Sequence, residues 1–418
     1  MRPLSASCSP GDLGAGGATP CPGRLGYLSG APRVSTRAEA ELGACRAHVL
    51  GVIDAFREMG WTVDPYVVGD RVPVSWIRGS GGMLASSLSH RLGADIARFA
   101  LNQWHARRAW RELRGRCDWV YERAGVFQAL GRPFSRAGIP WIVESNAPLH
   151  LEGRHDRPSI GAQPLVRRWE LGVYRDADAI VTVSATLRDI LSGYPGVDAG
   201  KILVVPNGVD TRRFDPERVV PQRFFPGPTI GFVGTLFHWQ WVETLLSCVA
   251  ELRVEGAVRW SVVIAGQGPQ YAACRAAAER LALGPDAVRF LGQVPWSEVP
   301  AVIAGTEIGY SGQSVLHGGA MYNSPLKIYE YMAMGKPVLA SAFEDAQRSI
   351  THGETGFLFR GGDRNALKQA LREAWHARDR LKSMGRRARQ RTVAEHGWEQ
   401  RVRAIVTGVA DLLERRPA

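Results

Sequence analysis

The sequence predicts an α/β protein of two Rossmann-like, doubly wound domains facing a central cleft. Three observations predict it. Short apolar runs of strand length alternate with amphipathic helical periods through both halves of the chain, the pattern of parallel sheets covered by helices. A Pro-rich segment, RVVPQRFFPGPT, interrupts that alternation near the middle. The length, 418 residues, suggests two or three domains at ~150 residues each. With 45% hydrophobic and 22% charged residues, wholesale disorder is excluded.

Residues 1–23, Gly-, Pro-, Ser- and Ala-rich and without an apolar core of signal-peptide length, read as a disordered N-terminal tail or a misassigned start. RLGYLSG is the first strand, followed by a polar loop from Ala31 to about Glu39. A helix then runs to Gly60, with Leu42, Cys45, Val49, Val52, Ile53, Phe56 and Met59 on one face and Gly60 as its C-cap. WTVDPYVVG is the next strand, which completes a β–loop–α–β unit. Residues 94–116 are helical by pattern, with six arginines among Phe99, Leu101, Trp104 and Trp110. CDWVYER, GIPWIVESNAP, DAIVTVS and KILVVPNGVD supply the remaining strands of an N-terminal domain at 24–212.

The second domain, 213–395, repeats the plan. TIGFVG, WSVVIAG, AVRFLG, EIGY and KPVLAS are named strands of an expected six, with WVETLLSCVAELR and QYAACRAAAERLAL as helices. From Asp363 onward the chain is helical and Arg-rich, and a last helix at 396–418 is expected to pack back across the domains. Ligands of such sheets bind at the carboxyl ends of the strands.

Charge and cysteines narrow the partners. A net charge of +12 favours anionic ligands. No apolar stretch is long enough to span a membrane. Six scattered cysteines without a CxxC fit buried thiols in a reduced, cytoplasmic protein, not a disulfide framework or a zinc site. High Arg, Ala and Gly content hints at a GC-rich bacterial genome.

The segment NSPLKIYEYMAMGKPVLAS, 323–341, carries the most chemistry. Ser324 suits an N-cap and Pro325 the first helical position, which leaves the following amides free for an anion. Lys327 adds a positive charge. Glu330, on the same face, can accept from both hydroxyls of a ribose. An ordinary capped helix with a surface Lys–Glu pair fits the spacing equally well.

The run SPLKIYEYMAMGKPV, with VTVS at 181–184, PNGVD at 206–210, FVGT at 232–235 and IAGQGP at 264–269, resembles the family-4 glycosyltransferases, retaining enzymes of the GT-B fold that use nucleotide sugars. IVESNAPL, with YERAG upstream, resembles a subset of them in the N-terminal half. The resemblance covers roughly residues 24–410. It implies that Glu330 holds the donor ribose and that Ser324, Pro325, Leu326 and Lys327 cradle the diphosphate. It implies that Gly234 and Thr235, with Gly266 and Gly268, form glycine turns near that diphosphate, and that Gln293 and Val294 contact the base. On the acceptor side Asn146 stands where many relatives carry a sugar-facing histidine, and Glu144 and Arg123 line the same wall. The implied chemistry is front-face transfer with retention, with no metal or other cofactor. Two departures stand out. Tyr322 occupies the position of the family's first glutamate, which touches the donor sugar. After the glycine turn, where relatives place an Arg and a Lys, this chain offers His238, followed by Gln240 and Trp241.

Other features have plainer readings. Asp176 and Asp178 match a DxD metal motif but read as structural. His150, Glu152 and His155 read as a loop near the acceptor; His48 can face the cleft, but a capping or packing histidine is the commoner outcome. The Arg-rich helix at 94–116 can lie on an anionic membrane or bind an acidic acceptor; a charged solvent face with both tryptophans in the core is the commoner outcome. MGRRARQR at 384–391 reads as a solvated face. No nucleic-acid reading motif is present. The function expected is sugar transfer from a nucleoside-diphosphate sugar to an unknown acceptor hydroxyl or other nucleophile, on a cell-envelope glycan, a lipid-linked sugar or a small secondary metabolite, with peripheral contact to anionic membrane as a further expectation. The alternatives are a non-catalytic nucleotide-sugar binder, another chemistry on the same fold such as an epimerase or phosphorylase, and a nucleic-acid or membrane-surface protein.

Overall fold

The computed structural model describes residues 22–38, 40, 43–73, 87–156, 158–256, 258–316 and 319–415. Most of the expected N-terminal tail, Glu39 at the end of the polar loop, Leu42 of the first helix, Cys8 and Cys21 lie outside the described residues.

The strands are β1 (Arg24–Ser29), β2 (Thr62–Val67), β3 (Trp119–Arg123), β4 (Trp141–Ser145), β5 (Ala179–Thr182), β6 (Ile202–Val204), β7 (Thr229–Val233), β8 (Ser261–Ala265), β9 (Val288–Gly292), β10 (Ile308–Ser311), β11 (Val338–Ser341) and β12 (Gly356–Phe359). Helices of eight residues or more begin with α1 (Ala44–Glu58), α2 (Leu88–Leu113), α3 (Gln163–Asp176), α4 (Ala185–Ser192) and α5 (Val242–Val254). They continue with α6 (Tyr271–Arg280), α7 (Leu326–Ala333), α8 (Arg364–His376), α9 (Leu381–Glu395) and α10 (Trp398–Glu414). The chain divides into two compact units. One holds Met1–Pro206, Tyr322–Ser324 and Trp398–Ala418; the other holds Asn207–Met321 and Pro325–Gly397.

The first unit is a six-stranded sheet in the order β2-β1-β3-β4-β5-β6, with every pair parallel. α1 ends in two bonds of a Schellman motif. Gly60, at φ 86°, donates to Arg57 O, and Trp61 N donates to Phe56 O. Gly60 is therefore the residue after the cap, which is Met59. Val49, Val52, Ile53 and Phe56 are buried as their spacing predicts, but Cys45 on the same helix is exposed. α10 joins this core through Val402, Ile405, Val406 and Val409. Trp398, its first residue, fills space that a side chain at position 51 would need, since a Cβ on Gly51 would fall 2.2 Å from Trp398 Nε1. The loop after β1 is tied down. Buried Arg46 donates to Ser35 O and Arg37 O at 2.7 Å. Asp70 accepts from Ser35 Oγ, Thr36 N and Thr36 Oγ1.

The second unit is a six-stranded parallel sheet in the order β12-β11-β10-β7-β8-β9. Its sixth strand, GFLF at β12, is the one the sequence reading counted without placing. The Pro-rich segment is part of this unit: Phe225 is buried against Val263, Ala265 and Val302. Its backbone also packs against α-helical turn residues, with Gln222 N donating to Ala301 O at 3.0 Å. Prolines there keep an edge segment extended and do not mark a linker.

Candidate active site

In the second unit the strand order reverses between β10 and β7, and such a switch point opens a crevice at the carboxyl ends of the strands. Gly234 follows β7, Gly266 follows β8 and Gly292 closes β9. Their amides lace the strand ends together: Gly234 N donates to Ala265 O at 3.0 Å, and Gly266 N to Gly292 O at 2.7 Å. At Gly266 (φ 149°) a Cβ would lie 1.9 Å from Gly234 O, so no other residue fits there.

α7 begins with Pro325 as N-cap, in extended conformation, one residue later than predicted. The missing Pro N–H costs nothing at a helix start, and the amides of Leu326 and Lys327 precede the first helical bond, Ile328 N to Pro325 O at 3.1 Å. Lys327, in the first turn, is 9% exposed. Its Nζ donates to Gln240 Oε1 at 2.9 Å and lies 4.1 Å from the centre of the Phe232 ring. A Cβ on Gly234 would come within 3.2 Å of it. The ammonium therefore sits under the β7 glycine turn. Burial pushes Lys327 down to about 7, against the pull of Glu330. Burial likewise pushes Glu330 up to about 7, against Lys327. The Glu330 carboxylate makes no hydrogen bond or ion pair among the described residues, and part of the residue stays open to solvent. It is free to accept from a ligand.

The remaining donor-side residues distribute around these. Thr235, His238 and Gln293 are exposed at strand-end loops, Val294 is half-buried, and Ser324 is buried before the helix. His238 opens a short 3-10 turn, His238–Gln240, which presents Gln240 to Lys327. Gln240 was noted in sequence only as a neighbour of His238; an amide in place of a basic residue gave no signal of this role. Tyr322 groups with the first unit, buried, its carbonyl accepting from Ser184 Oγ at 2.7 Å.

In the first unit Arg123 and Glu144 are register partners at the ends of β3 and β4. Glu144 Oε1 accepts from His48 Nε2 at 2.7 Å and from Asn146 Nδ2 at 3.1 Å. Arg123 reaches back to Cys45 Sγ at 3.7 Å. Burial raises the Glu144 carboxyl, but His48, Arg123 and Asn146 outweigh it and hold it below its ordinary value. Sequence reasoning brought Asn146, Glu144 and Arg123 together and missed the tie to His48. The signal available was Glu144 itself: a carboxylate in the apolar strand WIVES demands a buried partner. His48 Nδ1, Arg123 Nε and the hydroxyl of Tyr27 are buried without hydrogen-bond partners among the described residues, and the hydroxyl of Tyr121 faces Glu144. Polar atoms of this kind at strand ends can serve a hydroxylated ligand.

The side candidates take their plainer roles. Asp178 accepts from Trp141 N at 2.8 Å, and Asp176 pairs with Arg132 at 2.7 Å. His150 is buried on Glu170, Nδ1 to Oε2 2.7 Å. Residues 149–156 form helical turns and not the expected loop. Trp104 is exposed and not in the core. Among the described residues no group of three His, Cys, Asp or Glu side chains is placed to hold a metal ion, and no helix is long and apolar enough to cross a membrane.

Comparison with known proteins follows these two sites. The family model for glycosyl transferases group 1 matches residues 227–377, and that for glycosyltransferase family 4 matches residues 47–213. The chain is 28% identical over 246 residues to the GDP-mannose-dependent alpha-(1-6)-phosphatidylinositol monomannoside mannosyltransferase of Mycobacterium tuberculosis, covering 56% of this chain and 61% of that protein. It is 30% identical over 186 residues to the 2-deoxystreptamine glucosyltransferase of Streptomyces kanamyceticus, covering 41% and 46%. The match to the D-inositol 3-phosphate glycosyltransferase of Corynebacterium urealyticum is longer, 26% over 391 residues, covering 89% and 84%. The first of these alignments thus span about half to three fifths of the relatives' own lengths. Among solved structures, Anabaena HepE with UDP and glucose superposes with a TM-score of 0.64 at 15% identity, covering 93% of this chain and all of that one. Sucrose-phosphate synthase of Thermosynechococcus elongatus does so at 0.65 and 18%, covering 91% and 96%. With two matched models and two parallel six-stranded sheets of the GT-B type, the chain belongs to the family-4 glycosyltransferases.

Proposed function

We propose that this chain is a retaining glycosyltransferase that takes a nucleoside-diphosphate sugar on its second unit and an acceptor nucleophile on its first. The observation that carries the reading is the convergence at α7. A buried ammonium under the β7 glycine turn, free helix amides and an unpaired carboxylate one turn on match a diphosphate and a ribose in order. HepE, solved with UDP and with UDP-glucose, supports the ligand class. The leaving diphosphate would be stabilised by the α7 amides and Lys327 and would assist deprotonation of the acceptor on the same face. We propose that no metal is needed; chelator should then leave turnover unchanged. Asn146, held by Glu144 within the first unit, would be part of the acceptor's site. The four free described cysteines suit a cytoplasmic site for the reaction.

The test is thermal-shift binding with a panel of nucleoside diphosphates on wild type and Glu330→Ala. A ligand at one hundred times its dissociation constant stabilises by about 2.7 kcal/mol. One nucleotide should stabilise wild type and lose most of its effect on the variant. Stabilisation by none of them would sink the donor assignment.

A further inference from the structure

Three of the four described free cysteines lie where oxidants do not reach. Cys117, Cys248 and Cys274 are buried, and burial pushes each thiol up to about 11. Cys45 differs. It is exposed in the first turn of α1, and Gly43 caps that helix without a side-chain hydrogen bond. A free cysteine behaves as a small apolar residue and is most often buried. Val49 and Val52, on the same face of α1, are buried as that rule expects; Cys45 is not.

Two donors beside its sulfur have no acceptor among the described residues. Arg123 Nη2 donates to Cys45 Sγ at 3.7 Å, a long contact to a weak acceptor. Arg123 Nε is buried without a partner. So is the hydroxyl of Tyr27, a side chain 0% exposed that interacts electrostatically with Glu144, Arg123 and Cys45. Burial, and Glu144 after it, push this hydroxyl well above its ordinary range, so it keeps its proton and can donate. Glu144 itself is taken up by His48, Asn146 and Tyr121. An oxygen carried by the Cys45 sulfur would accept from both donors. We infer that Cys45 is a modification site, oxidised by a hydroperoxide to a sulfenic acid whose oxygen is held by Arg123 and Tyr27. The sulfur attacks one peroxide oxygen, the O–O bond breaks, and a hydroxyl passes to sulfur. The other oxygen leaves as water, with the thiol proton. Sulfur gives up two electrons and the peroxide takes them. A small dithiol reverses the step: its first sulfur displaces water from the sulfenic acid, and its second closes a disulfide and frees Cys45. The mark would draw Arg123 onto the new oxygen, at the strand ends where Arg123 and Glu144 are register partners. This inference stands apart from the sugar-transfer reading.

The experiment treats the full chain with an equimolar amount of hydrogen peroxide and adds dimedone, which traps sulfenic acid, after increasing delays. Peptide mapping by mass spectrometry assigns the label to individual cysteines. Wild type is compared with Cys45→Ser and Tyr27→Phe, and urea melts check that both variants fold. The expected label falls on Cys45 ahead of Cys117, Cys248 and Cys274, is absent from that peptide in Cys45→Ser, and is lost when a dithiol precedes the dimedone. Exposure alone would explain that much. The donors are tested by Tyr27→Phe, which removes one hydroxyl and no bulk. There the sulfenic acid should disappear roughly fivefold faster with delay, the worth of one hydrogen bond. Absence of label at Cys45 overturns the site. A sulfenic acid that lasts equally long in Tyr27→Phe overturns the assignment of its holder, and label that a dithiol does not prevent overturns its reversibility.

Discussion

The strand ends of the two units are built from different materials. In the second unit the crevice is made of backbone: glycine turns after β7 and β8, a helix N-terminus, and one lysine beneath them. In the first unit the corresponding strand ends carry side chains, with His48, Glu144 and two tyrosines buried and Asn146 and Arg123 half-buried beside them. A diphosphate looks the same in every nucleotide, so amides and glycines can serve it. Under the proposed function, an acceptor particular to one enzyme would be selected by side chains such as these.

The comparison can be broken most forcefully at Gly266. Gly266→Ala places a methyl against Gly234 O in a left-handed backbone region. It should cost about 3 kcal/mol or more from strain and overpacking together, and nucleotide stabilisation should vanish. Urea melts with and without nucleotide measure both; a variant that still binds would show that the donor crevice is not formed by these glycines.

A smaller effect is expected in the first unit. His48→Ala leaves Glu144 buried with a weaker set of partners. A loss of about 2 kcal/mol is expected, below the range for breaking a fully ionic buried pair. Nucleotide stabilisation should persist while transfer falls, because the variant disturbs Asn146 and leaves the donor side intact. Loss of nucleotide binding would contradict the separation of roles.

The smallest effect sharpens the donor side. Glu330 is raised to about 7, so the folded chain holds a proton that the unfolded chain lacks between its ordinary range and about 7. The stability this supplies is present at acidic pH and lost as pH rises through about 7. Glu330→Gln removes the cost of the buried charge. The ligand-free variant should melt a few degrees higher than wild type above pH 7, match it at acidic pH, and bind nucleotide more weakly. Equal melting at both pH values would mean the carboxylate is well solvated.

The same contrast explains what was legible in sequence. The sheets were readable because buried parallel strands must be continuous apolar runs. The glycine turns after β7 and β8 and the start of α7 were marked by the resemblance of FVGT, IAGQGP and SPLK to family motifs, while the spacing of Ser324 to Glu330 alone fitted an ordinary capped helix equally well. GFLF was harder, since four apolar residues with no period fit a strand or a turn equally. The pairing of His48 with Glu144 joins residues far apart in sequence, and neither carries a local mark of the other. The buried polar residues of α2 were not legible, because Asp95 and Asn102 meet their partners on distant loops.

Trp398 of α10 stacks edge-on against His48, with ring centres 4.9 Å apart, and rests where Gly51 leaves room. The consequence concerns the order of synthesis. The first unit has its sheet complete at Val204, yet one wall of its core, α10, is made only after the whole second unit. At about 5–20 residues per second, the intervening stretch from 207 to 397 keeps α1 uncovered for roughly 10–40 s. During that interval the histidine that holds Glu144 has no tryptophan behind it. The nascent first unit therefore leaves one face of its core uncovered until the second unit has been made.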